Sequence, residues 1–163
     1  MNLATGCLYF IKDQYFIDFP DDKLIRNKET VNGQPHNRPC FVALQEQDSD
    51  IVWFIPFSSQ TTKYHAIANK KIQQFGKCDT ILFGYVLGHE KAFLIQNMFP
   101  ATDRYVLNQY LDSYTNNPVR LDGAFEAKLI QSAKKVLALV RQGRKLIFAD
   151  VLKIESKLKS NGL

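Results

Sequence analysis

The run Ile51-Val-Trp-Phe-Ile-Pro-Phe57 constrains this chain more than any other segment. It carries no charge and is β-branched or aromatic at every position except the proline, which predicts a strand. Its apolar side chains fall on odd and even positions alike, which predicts burial on both faces. Pro56 near its end suits a strand leaving its ladder. Ser58, Ser59, Thr61, Thr62, Lys63 and His65 follow at once. A core strand has no need of them, whereas hydroxyls, an amine and an imidazole at a strand end can hold a phosphate and move protons.

The neighbouring segments build outward from that strand. Cys40 to Leu44 predicts its hairpin partner, with the turn over Gln45 to Asp50. Leu8 to Phe19 reads as an earlier strand bent near Lys12-Asp13. Pro20 to Pro39, with Asp21-Asp22, Asn32-Gly33, Pro35 and Asn37, has the composition of a long loop. Ser58 to Lys71 is polar and predicts a loop or short helix. Two strands are expected over Thr80 to Leu87 and Lys91 to Met98, joined by Gly88-His-Glu90, with Pro100 ending the second. Arg104 to Tyr114 fits strand or helix equally. In the last quarter, Phe125, Leu129, Ala133, Val136, Leu137 and Val140 recur at helical spacing, and Gly143 suits the helix stop. A second amphipathic helix turns Ile147, Val151, Ile154 and Leu158 inward. Strands first and helices last imply an α+β fold: a small, strongly bent antiparallel sheet or barrel flanked by helices. One domain over residues 1–163 is expected, with the barrel near 1–115 and the helical tail near 124–160.

Charge singles out the tail. The chain has a net charge of +5; residues 1–123 carry 12 Lys/Arg against 13 Asp/Glu, and residues 124–163 carry 9 against 3. A basic face of this kind attracts polyanions, although a merely solvated helix surface has the same composition. Cys7, Cys40 and Cys78 are too widely spaced for a zinc or redox motif and suit idle thiols in a reducing cytoplasm. No apolar run reaches the length of a membrane span, and the amino terminus has no secretory pattern.

His36, His65 and His89 are scattered without metal-ligand spacing. A glycine-rich phosphate loop, a Gly-x-Ser-x-Gly elbow and paired carboxylates near Ser58-Ser59 are all absent. The remaining constellation is spatial. Arg38 opens one hairpin strand and Ser58-Ser59 closes its antiparallel partner, so the two ends lie together. Such a group suits metal-free phosphoryl transfer on RNA, whose 2′-hydroxyl is a built-in nucleophile. Lys63 and Arg38 would supply positive charge, Ser58 or Ser59 a donor to phosphate oxygen, and His65 a proton shuttle. Ser-Ser-Gln-Thr-Thr is equally a good turn and helix cap.

Three segments in order resemble the ToxN/AbiQ group of type III toxin–antitoxin endoribonucleases, most closely the CptN- or TenpN-type members. They are Asn37-Arg-Pro-Cys-Phe-Val-Ala-Leu44, Trp53-Phe-Ile-Pro-Phe-Ser-Ser59 and Ala92-Phe-Leu-Ile-Gln-Asn-Met-Phe-Pro100. The resemblance implies an SH3-like barrel of the MazF/Kid kind with appended helices. It implies metal-independent cleavage of RNA to 2′,3′-cyclic phosphate and 5′-hydroxyl ends, with no cofactor. It also implies inhibition by a small repeat RNA antitoxin bound in a closed RNA–protein assembly. Ser58 and Ser59 match the family's hydroxyl pair. The family's lysine position is occupied by Thr61, and its Lys-His pair corresponds to Lys63-Tyr64-His65, so Lys63, Thr61 and His65 share candidacy for that role. Lys128, Lys134, Lys135, Arg141, Arg144 and Lys145 would then grip the RNA backbone. Tyr64 would stack on a base; Trp53 has the same chemistry but its apolar strand makes it a core residue. A non-catalytic RNA- or protein-binding module on the same barrel is the competing expectation.

Overall fold

The computed structural model describes residues 2–161. In chain order its elements are β1 (Leu8–Ile11), α1 (Gln14–Asp18), β2 (Lys28–Val31), β3 (Gln34–Asn37), β4 (Pro39–Gln45), β5 (Val52–Ser58) and α2 (Thr61–Phe75). There follow β6 (Ile81–Val86), β7 (His89–Leu94), β8 (Phe99–Ala101), β9 (Val106–Gln109), α3 (Gly123–Arg141) and α4 (Val151–Ser160). The fold is mixed, with an antiparallel sheet and helices packed against it.

β5 is buried along its whole length, as its composition predicts. It is central to a seven-stranded sheet ordered β6-β7-β5-β4-β1-β9, with β8 also paired to β5. One edge of β5 is shared between two partners: Val52 to Phe54 pair with β8, and Phe57-Ser58 pair with β7. Pro56 falls in the gap between them, where a residue without an N–H is tolerated. The strand therefore does not leave the ladder at Pro56 but runs on to Ser58. Of the expected sheet or SH3-like barrel, the described residues show a sheet and no closed barrel: the hydrogen-bonded path is open, with β6 and β9 at its ends.

Two local expectations are corrected, and a third, left open between loop and short helix, is decided. The strand over Leu8 to Phe19 stops at Ile11, and Gln14–Asp18 turns into α1. There Tyr15 is fully buried among Phe16, Phe19, Phe99 and Tyr105, its hydroxyl donating to the Pro100 carbonyl at 2.7 Å. The long loop from Pro20 to Pro39 contains the hairpin β2–β3. Asn32 and Gly33 both have positive φ, the geometry of a two-residue hairpin turn. The polar stretch after Ser59 is a 15-residue helix, α2, ended by Gly76 in the left-handed region. It buries only Tyr64 and Ala68, against β6 and β7, so its apolar stripe is too thin to be seen in the sequence.

α3 forms as its periodicity predicts, while α4 starts only at Val151 and leaves Ile147 buried in the connection before it; each is opened by an aspartate whose carboxylate accepts a backbone N–H, Asp122 from Phe125 and Asp150 from Lys153. Their buried faces join the strands in one apolar cluster. Arg141 ties them together. It donates to both Glu155 oxygens at 2.8 Å, and to Glu46, which also accepts from Trp53 Nε1 at 2.8 Å. No helix among the described residues is long and apolar enough to cross a membrane.

Candidate active site

The end of β5, the start of β4 and the hairpin β2–β3 converge on one buried carboxylate, Glu29. Arg38 Nη1 donates to Glu29 Oε2 at 3.0 Å, with both side chains 8% exposed. The same nitrogen donates to the Phe57 carbonyl at 3.1 Å, and Arg38 Nε donates to the Arg26 carbonyl at 2.9 Å. Ser58 Oγ donates to Glu29 Oε2, and the Ser59 N–H donates to Glu29 Oε1 at 2.9 Å. Ser58 Oγ in turn accepts the Gln60 N–H at 3.0 Å. Burial alone would raise the Glu29 pKa, but the bonds from Ser58 and Ser59 and the Arg38 charge outweigh it and hold the carboxyl below its ordinary value. Arg38 and Ser58 thus meet through an acid that the sequence reading did not include.

This knot lies between two hollows. The larger, about 470 Å³, is lined by Ser59, Lys91, His36, Phe10 and Tyr110 together with Glu29 and Arg38. Ser59 is exposed, and its Oγ accepts from Lys91 Nζ at 2.7 Å. His36 sits directly across the hairpin from Glu29. The smaller, about 310 Å³, is lined by Lys63, Lys28, Arg26, Tyr64 and Ser58, again with Glu29 and Arg38. Lys63 therefore does not share the Ser59 hollow; it stands on the other side of the Glu29–Arg38 wall. α2 begins at Thr61, whose N–H donates to the Ser59 carbonyl at 2.9 Å, so the positive end of the helix dipole lies just beyond the serines.

The other predicted residues fall elsewhere. His65 stacks on Phe83 at 3.6 Å between ring centroids and contacts Glu90 at 3.0 Å, and it lines neither hollow. Tyr64 is largely buried, with its pKa raised by burial, and is among the residues that line the smaller hollow. Trp53 is fully buried. Lys128, Lys134, Arg144 and Lys145 are exposed; Lys135 is paired with Asp79 at 3.2 Å. Arg141 is committed to Glu155 and Glu46, the Glu155 bonds first among the causes that raise its pKa. Cys40 is fully buried, its thiol pushed up to about 12 by desolvation. Among the described residues no three His, Cys, Asp or Glu side chains cluster as a metal site would require.

Glu29, Lys91 and His36 are the functional candidates that sequence reasoning missed. A signal existed for two of them. An Asn-Gly turn fixes hairpin register, and counting outward from Asn32-Gly33 places Glu29 opposite His36. Lys91 had none, because it reaches Ser59 only through the pairing of Ser58 with Ala92 across β5 and β7.

No protein-family model and no curated protein matches this chain. A solved structure is similar to it in fold: AbiQ, a lactococcal anti-phage endoribonuclease belonging to the type-III toxin–antitoxin system, at a TM-score of 0.69 and 15% sequence identity. The likeness covers 98% of this chain and 99% of AbiQ, so the two share an architecture from end to end.

Proposed function

We propose that this chain is an endoribonuclease toxin of a type III toxin–antitoxin system, of the ToxN/AbiQ kind and within it of the CptN or TenpN type. One observation carries the reading: a fold shared with AbiQ over its full length presents an open, charged cleft at the Ser58-Ser59 strand end. A kinship with the MazF/Kid barrels belongs to the same proposal, as does action in the cytoplasm.

The reaction needs no group from outside the RNA and the protein. The 2′-oxygen attacks the adjacent phosphorus as its proton passes to a base, and the bond from phosphorus to the 5′-oxygen breaks as that oxygen takes a proton. The products are a 2′,3′-cyclic phosphate and a 5′-hydroxyl. Ser59 and Lys91, already hydrogen-bonded to each other, donate to the phosphate oxygens on which charge grows. His36, on the same cleft wall, carries the proton. Lys63 and Lys28 hold the neighbouring phosphate from the adjoining hollow. Glu29, Arg38 and Ser58 act as positioning residues, locking the strand end. Thr61 serves through the start of α2, and His65, stacked on Phe83 outside both hollows, is given no step.

The inhibitor in this reading is a small repeat RNA, bound in a closed assembly through the exposed cations of the tail: Lys128, Lys134, Lys135, Arg144 and Lys145. Its affinity is expected to fall steeply with salt, and a flat salt response would remove the tail from that role. The decisive experiment incubates purified protein with RNA in the presence of a chelator and examines the ends formed. Cyclic-phosphate ends from wild type, lost in Ser59→Ala and Lys91→Ala, are the expected result. Cleavage that returns only with added divalent metal refutes metal independence. Stoichiometric binding without cleavage refutes the nuclease and favours the binding module.

A further inference from the structure

A second basic groove lies away from the cleft. It has a volume of about 440 Å³ and is formed by the end of α2, the residues before β6, the end of α3 and the α3–α4 connection. Its lining holds five cations, Lys71, Lys77, Lys135, Arg144 and Lys145, against one carboxylate, Asp79. Asp79 is already shared between Lys77 at 3.3 Å and Lys135 at 3.2 Å. Among the described residues Arg144 and Lys145 have no ion-pair partner.

The groove is built, not incidental. Lys71 Nζ donates to Thr80 Oγ1 and to Gln96 Oε1, each at 3.0 Å. Thr80 and Gln96 are 6% and 4% exposed, so an ammonium is held in a fixed position by two neutral, buried acceptors. The backbone carbonyl of Gln96 also accepts the Phe148 N–H at 3.2 Å, which pins the α3–α4 connection to the same support. Fixing a cation without a counter-charge brings no stability by ion pairing; it prepares a place for an anion.

Two exposed aromatic side chains complete the surface: Phe75 at 67% and Phe148 at 54% exposure. Single exposed rings are ordinary, but these two line the same groove as the cations and offer a ligand an apolar surface there. Cations interleaved with aromatic faces are the arrangement that binds unpaired nucleotides, with phosphates on the charges and bases on the rings. A duplex hides its base faces and would leave both rings uncovered. α2 connects this groove to the proposed site, since Lys63 lies near its start and Phe75 at its end, about 18 Å along the axis at 1.5 Å per residue.

From this geometry we infer that the groove is a second RNA site, which takes a single-stranded segment of the polymer at a distance from the bond that is cut. The inference rests on the nuclease reading for the class of polymer; because Lys135, Arg144 and Lys145 also belong to the surface which that reading gives to the inhibitor, inhibitor and substrate strands would compete for this groove. The site makes binding a property of two separated surfaces, so that an RNA long enough to reach both is held more tightly than a short one.

The test uses a fluorescein-labelled 12-nucleotide oligouridylate that is fully 2′-O-methylated. It cannot be cut, so the outcome does not depend on nuclease activity, which cleavage of unmodified RNA judges separately. Fluorescence anisotropy is recorded over a series of salt concentrations for wild type, for Arg144→Glu with Lys145→Glu, and for Phe75→Ser with Phe148→Ser. All four side chains are exposed, and unchanged thermal melting checks that both variants fold. The aromatic pair is expected to weaken binding on the order of tenfold per ring with an unchanged salt slope. The charge reversal is expected to weaken it at least as much and to flatten the slope by about 1.4, two phosphate contacts at roughly 0.7 each. Affinity within twofold of wild type in both variants overturns the inference. So does full binding by the aromatic variant together with equal competition by polyglutamate, because the groove is then a general polyanion surface with no preference for RNA.

Discussion

Replacing Glu29 by Ala is the sharpest perturbation this structure offers. The carboxylate accepts from Arg38, from the Ser58 hydroxyl and from the Ser59 N–H, and both charged partners are 8% exposed. Its removal leaves the Arg38 guanidinium buried with only the Phe57 and Arg26 carbonyls as acceptors. Breaking a buried pair from one side costs about 3–5 kcal/mol, a large share of the roughly 5–15 kcal/mol that holds a domain together. At about 2–4 °C per kcal/mol for a chain of this size, the melting temperature should fall on the order of 10 °C. The double variant Glu29→Leu/Arg38→Met removes both charges and should recover much of that loss, because neither partner is then stranded. Thermal denaturation of Glu29→Leu, Arg38→Met and the double variant forms a cycle that isolates the pair. A melting temperature for Glu29→Ala within about 2 °C of wild type would refute the reasoning, and so would a double variant as unstable as the two single losses added. The pH dependence follows from the same contacts. Glu29 has a lowered pKa in the folded chain, so its contribution is complete above the unfolded glutamate value of about 4.3 and is lost as pH falls through the lower folded value. Glu29→Gln should therefore remove that part of the acid loss of stability and leave a flatter curve below about pH 4.

Three further outcomes are expected. Ser59→Ala should lower RNA cleavage about 10²–10³-fold with an unchanged melting temperature, whereas Ser58→Ala should destabilise by about 1–3 kcal/mol, because Ser58 bonds both Glu29 and the Gln60 N–H; equal melting temperatures for the two variants would contradict this division. Arg141→Ala should cost about 2 kcal/mol, discounted from the buried-pair range because its side chain is 37% exposed, while leaving RNA affinity and its salt slope unchanged; a weakened affinity at constant stability would return Arg141 to the RNA surface. Gly84→Ala should lose about 1–3 kcal/mol in denaturant unfolding, because an added Cβ would lie 2.6 Å from Phe125 Cζ and 2.7 Å from its Cδ2; an unaffected midpoint would show that the ring moves aside freely.

The candidate site was legible only where its parts are local. Ser58 and Ser59 announce themselves because a run of apolar residues ends and hydroxyls begin within two positions. Arg38 was placed beside them by hairpin geometry alone, and the structure joins them through the Phe57 carbonyl and Glu29. Glu29 stayed hidden because the segment carrying it has a loop's composition, and only Asn32-Gly33 marks the hairpin inside it. α2 was obscured because two buried residues in fifteen leave too weak a period to separate a helix from a polar loop. The cations of the tail are all visible as letters, yet Arg141 is spent within the fold and Arg144 is not. No spacing distinguishes them, because the difference lies in Glu46 and Glu155, 95 and 14 positions away.

By itself the sequence determined the buried β5 strand, its hairpin with β4, the two carboxy-terminal helices and the hydroxyl pair at the strand end. Each rests on side-chain periodicity or composition within about twenty residues, and water sorts such patterns the same way in any tertiary setting. Tertiary structure alone decided that β5 is shared between β7 and β8, that Lys91 and not Lys63 reaches Ser59, and which charges are left open to a ligand. Those outcomes depend on which carboxylates and carbonyls arrive from distant segments to neutralise a given cation, and no local pattern carries that information.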